Sequence, residues 1–210
     1  MKKFLLLSVL LLCTISCLWA QDTIRVACVG NSITRGWGLP EDYPAMLGKI
    51  LGDKYKVGNF GENSRTVLNR GDYPYMRSDV FFGALKFMPD VVVIKLGTND
   101  SKPENWQYGS DYEKDLTSLI TIFQHIPSHP EIYLCYPAKV YGDTWGISDE
   151  TITNNIIPII KKVAEERNLQ IIDLHSATDG MEENFPDKVH PDSQGAAAIA
   201  VTVYRAIAKE

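Results

Sequence analysis

Positive charge is in deficit in this chain of 210 residues: 21 Lys and Arg stand against 26 Asp and Glu, a formal net charge of −5. Without a cationic excess there is little to neutralise a run of phosphates, which argues against nucleic acid as a partner. Cysteine is scarce as well. Of four, Cys13 and Cys17 fall within the first twenty residues, and Cys28 and Cys135 sit on two separate apolar runs. Such a pair reads as two buried thiols rather than a disulfide framework. The chain has no Gly-Lys-Ser/Thr phosphate loop, and Gly36-Trp37-Gly38 continues as Leu39-Pro40-Glu41 instead of completing Gly-x-Gly-x-x-Gly. Nucleotide binding is therefore the weaker use of its sheet. His125 and His129 have the spacing of a metal pair, but Pro127 lies between them and no Glu follows His125, so neither a metal nor another cofactor is expected. Internal repeats, low-complexity tracts and domain linkers are missing too.

One long apolar stretch is present, and it belongs at the start. Lys2 and Lys3 form a positive region, residues 4–12 an apolar one, and Leu18-Trp19-Ala20 leads to Gln21 with a small residue at the cleavage point. Residues 1–20 thus read as a secretory signal, too short and too soon followed by polar residues for a membrane span. The destination is the periplasm or the exterior. Ser16-Cys17 leaves a second reading, a lipoprotein anchored at Cys17, although Thr14 stands where the usual Leu would be. Removing the signal leaves 190 residues with a net charge of −7, suited to a single domain over residues 21–210.

Five short runs have the continuous apolar character of strands buried on both faces: residues 24–29, 55–60, 91–96, 132–136 and 169–174. Between them lie helical spacings. Tyr43, Met46, Leu47, Ile50 and Leu51 mark one apolar face; Val80, Phe81, Ala84, Leu85 and Met88 mark a second, stopped by Pro89. Tyr112, Leu116, Leu119, Ile120 and Phe123 give a third, and Ile152, Ile156, Ile159, Ile160 and Val163 a fourth in which Pro158 should kink the helix or mark a late start. Residues 196–207 make the last. This alternation predicts an α/β fold, a three-layer α/β/α sandwich on a five-stranded parallel sheet. Two long loops, residues 61–77 and 137–149, leave carboxyl ends of strands and invite a functional reading.

The same edge carries the polar residues. Ser32 follows the first strand in Gly30-Asn31-Ser32; as the carboxyl-end serine of a buried strand it is a candidate nucleophile, and equally a helix cap, a role that Asn31 could share. Asn59-Phe60-Gly61 follows the second strand, Gly97-Thr98-Asn99-Asp100 the third, and Asp187-Lys188-Val189-His190-Pro191 precedes the last helix. Acyl transfer gives all four a purpose. A serine hydroxyl needs an imidazole to take its proton, and the imidazole needs a carboxylate to fix its tautomer. His190 suits the first task and Asp187 the second. Donors for the oxyanion are available in the N–H groups of Ser32 and Gly61 and the side-chain amide of Asn99. Taken singly, Gly61 reads as a turn residue and Asn99 as a loop cap. His175, in Asp173-Leu174-His175, is the competing histidine and reads as structural.

These four blocks, in this order, resemble the SGNH or GDSL-type esterases and acylhydrolases over essentially the whole mature chain. The resemblance implies a flavodoxin-like strand order of 2-1-3-4-5, which would set Ser32 between Gly61 and Asn99. It also implies Ser32, Asp187 and His190 as the catalytic residues. Two departures stand out. Asn31 replaces the Asp of the family name, and Ser64 stands where many relatives have a glycine three residues beyond Gly61.

The stretch 97–106, with Ser101-Lys102-Pro103-Glu104-Asn105-Trp106, is similar to sialate O-acetylesterase-like members. That likeness implies removal of O-acetyl groups from a carbohydrate outside the cytoplasm, through an acetyl-Ser32 intermediate. Arg35, Trp37, Tyr73, Tyr75, Trp106 and Trp145 are the candidate substrate-binding residues, since an aromatic, polar rim suits a sugar better than a long acyl chain. The competing expectations are a lysophospholipase or thioesterase, and a sugar-binding protein on a retired hydrolase scaffold.

Overall fold

The computed structural model describes residues 23–208. The proposed signal and the lipid-anchor reading at Cys17 lie outside them. The five strands are β1 (Ile24–Gly30), β2 (Tyr55–Gly61), β3 (Val91–Lys95), β4 (Glu131–Tyr136) and β5 (Gln170–Asp173), all parallel, in the order β2-β1-β3-β4-β5. The helices are α1 (Ser32–Arg35), α2 (Tyr43–Leu51), α3 (Asp79–Lys86), α4 (Pro103–Trp106), α5 (Tyr112–Gln124), α6 (Asp149–Thr151), α7 (Ile157–Arg167), α8 (Leu174–Ala177) and α9 (Ser193–Ala208).

Both faces of the central strands β1, β3 and β4 are covered, which is why these lack polar alternation, whereas the edge strands β2 and β5 are only partly buried, with Lys56, Asn59, Gln170 and Asp173 exposed. Ala27, Val29, Val92 and Ile94 pack on α3, α5 and α7 through Phe81, Leu116, Phe123, Ile160 and Val163. Val26, Cys28, Val91 and Val93 pack on α2 and α9 through Tyr43, Leu47, Ile199 and Val203. These are the three layers expected. Cys28 and Cys135 are both buried free thiols.

Local chemistry sets the helix ends. The Asp42 carboxylate accepts the Ala45 N–H at 2.8 Å to start α2, and the Ser78 hydroxyl accepts that of Phe81 at 3.2 Å to start α3. Pro158 marks a late start, as expected: the regular α-helix begins only at Ile157, although helical turns run back to Asp149. A π-turn, Ile152–Ile156, joins α6 to α7 and places the proline in the first turn of α7, where its missing N–H costs nothing. The fifth strand is shorter than expected: Leu174 already begins α8, capped by Asp173, whose carboxylate accepts the Ser176 N–H at 2.9 Å. Among the described residues no helix is long and apolar enough to cross a membrane.

The topology fixes where a site can be. Because β1 lies between β2 and β3, the chain leaves the sheet in opposite directions on its two sides, opening a crevice at the carboxyl end of β1. Gly30 pairs with Gly61 on one side and with Lys95 on the other. A Cβ at Gly61 would stand 2.3 Å from the backbone nitrogen of Arg35, so its absence lets α1 fold back against the sheet end.

Candidate active site

The residue after β1 decides how Ser32 is used. Asn31, in extended conformation, takes the cap: its Oδ1 accepts the Ile33 N–H at 3.1 Å. Ser32 is thereby the first residue of α1, with its hydroxyl free of capping duty. Its Oγ lies 2.7 Å from His190 Nε2, and His190 Nδ1 lies 2.8 Å from Asp187 Oδ2. The other oxygen of Asp187 accepts the backbone N–H groups of His190 at 2.6 Å and Val189 at 3.0 Å. That turn is the geometry the Asp-x-x-His spacing allows, and it orients the carboxylate before the imidazole is added.

The electrostatics suit a base. Burial pushes His190 below its ordinary value; the Asp187 carboxylate opposes this, and the charge of Lys95 adds to it. Burial disfavours the Asp187 charge, but the donors of His190 and Val189 more than compensate and hold it below the usual carboxylate range. An imidazole that is neutral at neutral pH can take the serine proton, and a carboxylate that stays charged can stabilise the imidazolium formed.

The three residues open into a cleft of about 270 Å³ whose lining includes Ser32, Ser64, Asn99, Lys102, Ile147 and His190. Its walls are two tryptophans. Trp37 stacks on the His190 ring with centroids 5.8 Å apart and 29° between planes, and Trp145 approaches the same ring at 5.3 Å and 58°. Each indole is about half exposed, 51% and 54%. Thr144 Oγ1 donates to the Asp187 carbonyl at 2.9 Å, tying the Trp145 turn to the Asp187–His190 turn.

The Gly61 expectation is corrected. Its N–H is taken by Asn59 Oδ1 at 2.9 Å, it does not line the cleft, and its missing Cβ serves the packing of α1. Ser64 occupies the place intended for it. This residue lines the cleft in the left-handed region with φ of 63°, and none of its backbone or side-chain groups bonds a protein partner among the described residues. Ser32, Ser64 and Asn99 line one cleft, and the N–H groups of Ser32 and Ser64 and the second amide hydrogen of Asn99, whose first goes to the Arg65 carbonyl at 3.1 Å, have no protein acceptor among the described residues. A position where relatives carry glycine signals positive φ, and that was the clue to Ser64.

Other expected residues separate from the site. Tyr75 is fully buried and its hydroxyl donates to the Phe60 carbonyl at 2.8 Å. Trp106 packs on Tyr112, and neither Tyr73 nor Arg35, both exposed, lines the cleft. His175 is structural: its Nε2 lies 3.1 Å from Asp149 Oδ1, while Lys139 Nζ lies 2.8 Å from the other oxygen. Asn63, Lys102 and Ile147 line the cleft without having been singled out as binding residues.

Residues 28–198 match the GDSL-like lipase/acylhydrolase family. The chain belongs to that family of ester-hydrolysing enzymes. An acetylxylan esterase of Xylanibacter ruminicola is 46% identical over 210 residues, covering 89% of this chain but 44% of that protein, so the chain spans less than half its length. Axe2, an acetylxylan esterase from Geobacillus stearothermophilus, superposes with a TM-score of 0.72 at 22% identity, over 90% of this chain and 96% of that one. A putative arylesterase from Agrobacterium tumefaciens gives 0.72 at 22% identity, over 89% and 99%. These solved structures share the SGNH hydrolase fold, with its flavodoxin-like sheet order.

Proposed function

We propose that this SGNH-family protein is a serine esterase that removes O-acetyl groups from a carbohydrate, with acetylated xylan fragments favoured over O-acetylated sialic acids. The observation that carries the reading is the hydrogen-bonded chain Ser32–His190–Asp187 at the floor of a cleft walled by Trp37 and Trp145. The name of the Xylanibacter relative supports the choice of sugar. The leader-like residues 1–20 support action outside the cytoplasm.

The steps follow from the contacts. Ser32 Oγ attacks the acetyl carbonyl as its proton passes to His190 Nε2. The oxyanion is met by the N–H groups of Ser32 and Ser64 and by Asn99 Nδ2. Collapse breaks the bond to the sugar oxygen, which leaves as a hydroxyl carrying the His190 proton. Water then attacks the acetyl-serine, giving its proton to His190, and Ser32 leaves with that proton as acetate is released. Trp37 and Trp145 offer flat faces to the sugar ring.

Acetate release from acetylated xylan fragments, O-acetylated sialic acids and an aryl ester series tests this. Acetyl esters should be preferred, and Ser32→Ala should lower kcat by roughly 10⁴-fold or more and abolish labelling by a fluorophosphonate. Preference for octanoyl esters, or full activity in Ser32→Ala, would overturn the reading.

A further inference from the structure

Beneath the serine lies a charged group that these steps leave unused. Lys95, the last residue of β3, is fully buried on the sheet face shared with Val91 and Val93. Its Nζ donates to Asn31 Oδ1 at 3.1 Å, and the same oxygen accepts the Ile33 N–H at 3.1 Å. Two donors on one oxygen fix the orientation of the amide. Ser32 is thus held between the residue that Lys95 grips and the residue whose N–H that grip engages. The strand register makes this reach available, because Gly30 pairs with Lys95 directly below the turn into α1.

The lysine has no counter-charge. Among the described residues it forms no ion pair. The titratable groups that act on it or answer to it are the Cys135 thiol of β4 and His190. Burial pushes the Cys135 thiol far up, and it pushes Cys28 of β1 to about 12 and the Tyr43 phenol of α2 upward too, so these neighbours are neutral at neutral pH. Burial also brings Lys95 itself down to about 7. Facing His190 are Asp187 from its own loop, Ser32 at the start of α1, Trp37 beyond it and Trp145 from the 137–149 loop, and the other cation of the cleft, Lys102 just before α4, has its Nζ 3.7 Å from Asp72 Oδ2. The Asp that gives the family its name would neutralise Lys95 from position 31; Asn31 keeps the capping oxygen and leaves the cation uncompensated.

We propose that Lys95 is a positioning residue for acyl transfer: through Asn31 it holds the turn that carries Ser32, and it stands as a buried cation without an ion-pair partner beneath the hydrogen-bonded Ser32–His190 pair. The inference rests on the proposed acyl-Ser32 chemistry. Lys95 exchanges no proton with the substrate; it acts through Asn31 and through its field at His190.

The test is the pH profile of aryl acetate hydrolysis by the full chain, with Lys95→Met and Asn31→Asp. Loss of the cation should let His190 bind a proton more readily, so the acid limb of kcat/KM moves to higher pH, by about half a unit. In Lys95→Met the plateau kcat should also fall about tenfold with KM within about twofold, because the grip on Asn31 is lost. Asn31→Asp retains an oxygen for the Ile33 N–H and supplies the counter-charge, so its limb should move the same way with a smaller loss of plateau. An unmoved limb in both overturns the proposal even if rates fall, since damaged packing alone lowers the rate without changing the proton affinity of His190. Should Lys95→Met fail to fold, the limb of Asn31→Asp decides. An active Ser32→Ala sinks the acyl-serine reading itself, whereas an inactive Ser32→Ala with unmoved limbs sinks only the role of Lys95.

Discussion

The two long loops at the carboxyl edge of the sheet, residues 61–77 and 137–149, look alike in sequence and are put to different uses. The first is sewn into the body of the protein. Asp100 accepts the N–H groups of Val67 and Leu68 at 3.1 and 2.9 Å, Asp115 accepts that of Asn69 at 2.7 Å, and Asn105 accepts that of Asp72 at 2.8 Å. Val67, Leu68 and Tyr75 are buried, and near its start the loop presents Asn63 and Ser64 to the cleft. The second loop is held on both sides of its tip. Val140 and Ile147 are buried, while between them Trp145, with φ of 56°, is carried out beside His190. One loop is fixed by burial where it reaches the cleft. The other extends an aromatic face to whatever enters. Aromatic residues in a loop therefore say little about binding until the direction in which they point is known.

That contrast can be broken most directly at Asp100. Asp100→Ala strands two buried N–H groups and should lower stability by about 3 kcal/mol in a denaturant titration; a loss under ~1 kcal/mol would show that the 61–77 loop does not depend on this anchor. The anchor also carries a pH signature. Burial raises the folded-state Asp100 from 3.8 to about 7. The folded state therefore binds the proton more tightly than the unfolded one. Its contribution is full below pH ~4, is lost as pH rises to about 7, and is level beyond. Asp100→Asn should remove that slope. Next in size is the opposite loop. Trp145→Ala should raise KM for acetylated xylan fragments about fivefold, with little change for a small aryl acetate and none in the denaturation midpoint. A drop in stability without a KM effect would return Trp145 to a packing role. The smallest effect belongs to Tyr75→Phe, which loses the bond to Phe60 and about 0.5 kcal/mol of stability while KM stays within about twofold.

Much of the site was legible because its spacing is local. Asp187 and His190 are three residues apart, and a single turn makes the Asp187 carboxylate accept the N–H of His190 before it meets the imidazole. Ser32 was legible as a nucleophile or a cap, and Asn31 resolves that choice by taking the cap itself. Gly61 was misread because the need for glycine there is steric: Arg35 approaches from α1, a contact 26 residues distant in sequence. Ser64, a non-glycine in a glycine conformation, showed only as a departure from the pattern of relatives. Lys95 read as one more residue of a buried strand, and nothing in its neighbourhood along the chain points to Asn31.

Alternating apolar runs of strand and helix length determined the layers and the class of the fold, since burial of both sheet faces is a property of each segment alone. The order of polar residues at strand ends determined the kind of chemistry. The tertiary structure decided which of those residues meet. Parallel pairing of β1 with both β2 and β3 sets Gly61 and Lys95 beside Gly30, spends the Gly61 N–H on Asn59, and brings Lys95 under Asn31. Such contacts join residues tens of positions apart, and whether a loop side chain turns inward like Tyr75 or outward like Trp145 depends on partners that only the folded chain supplies.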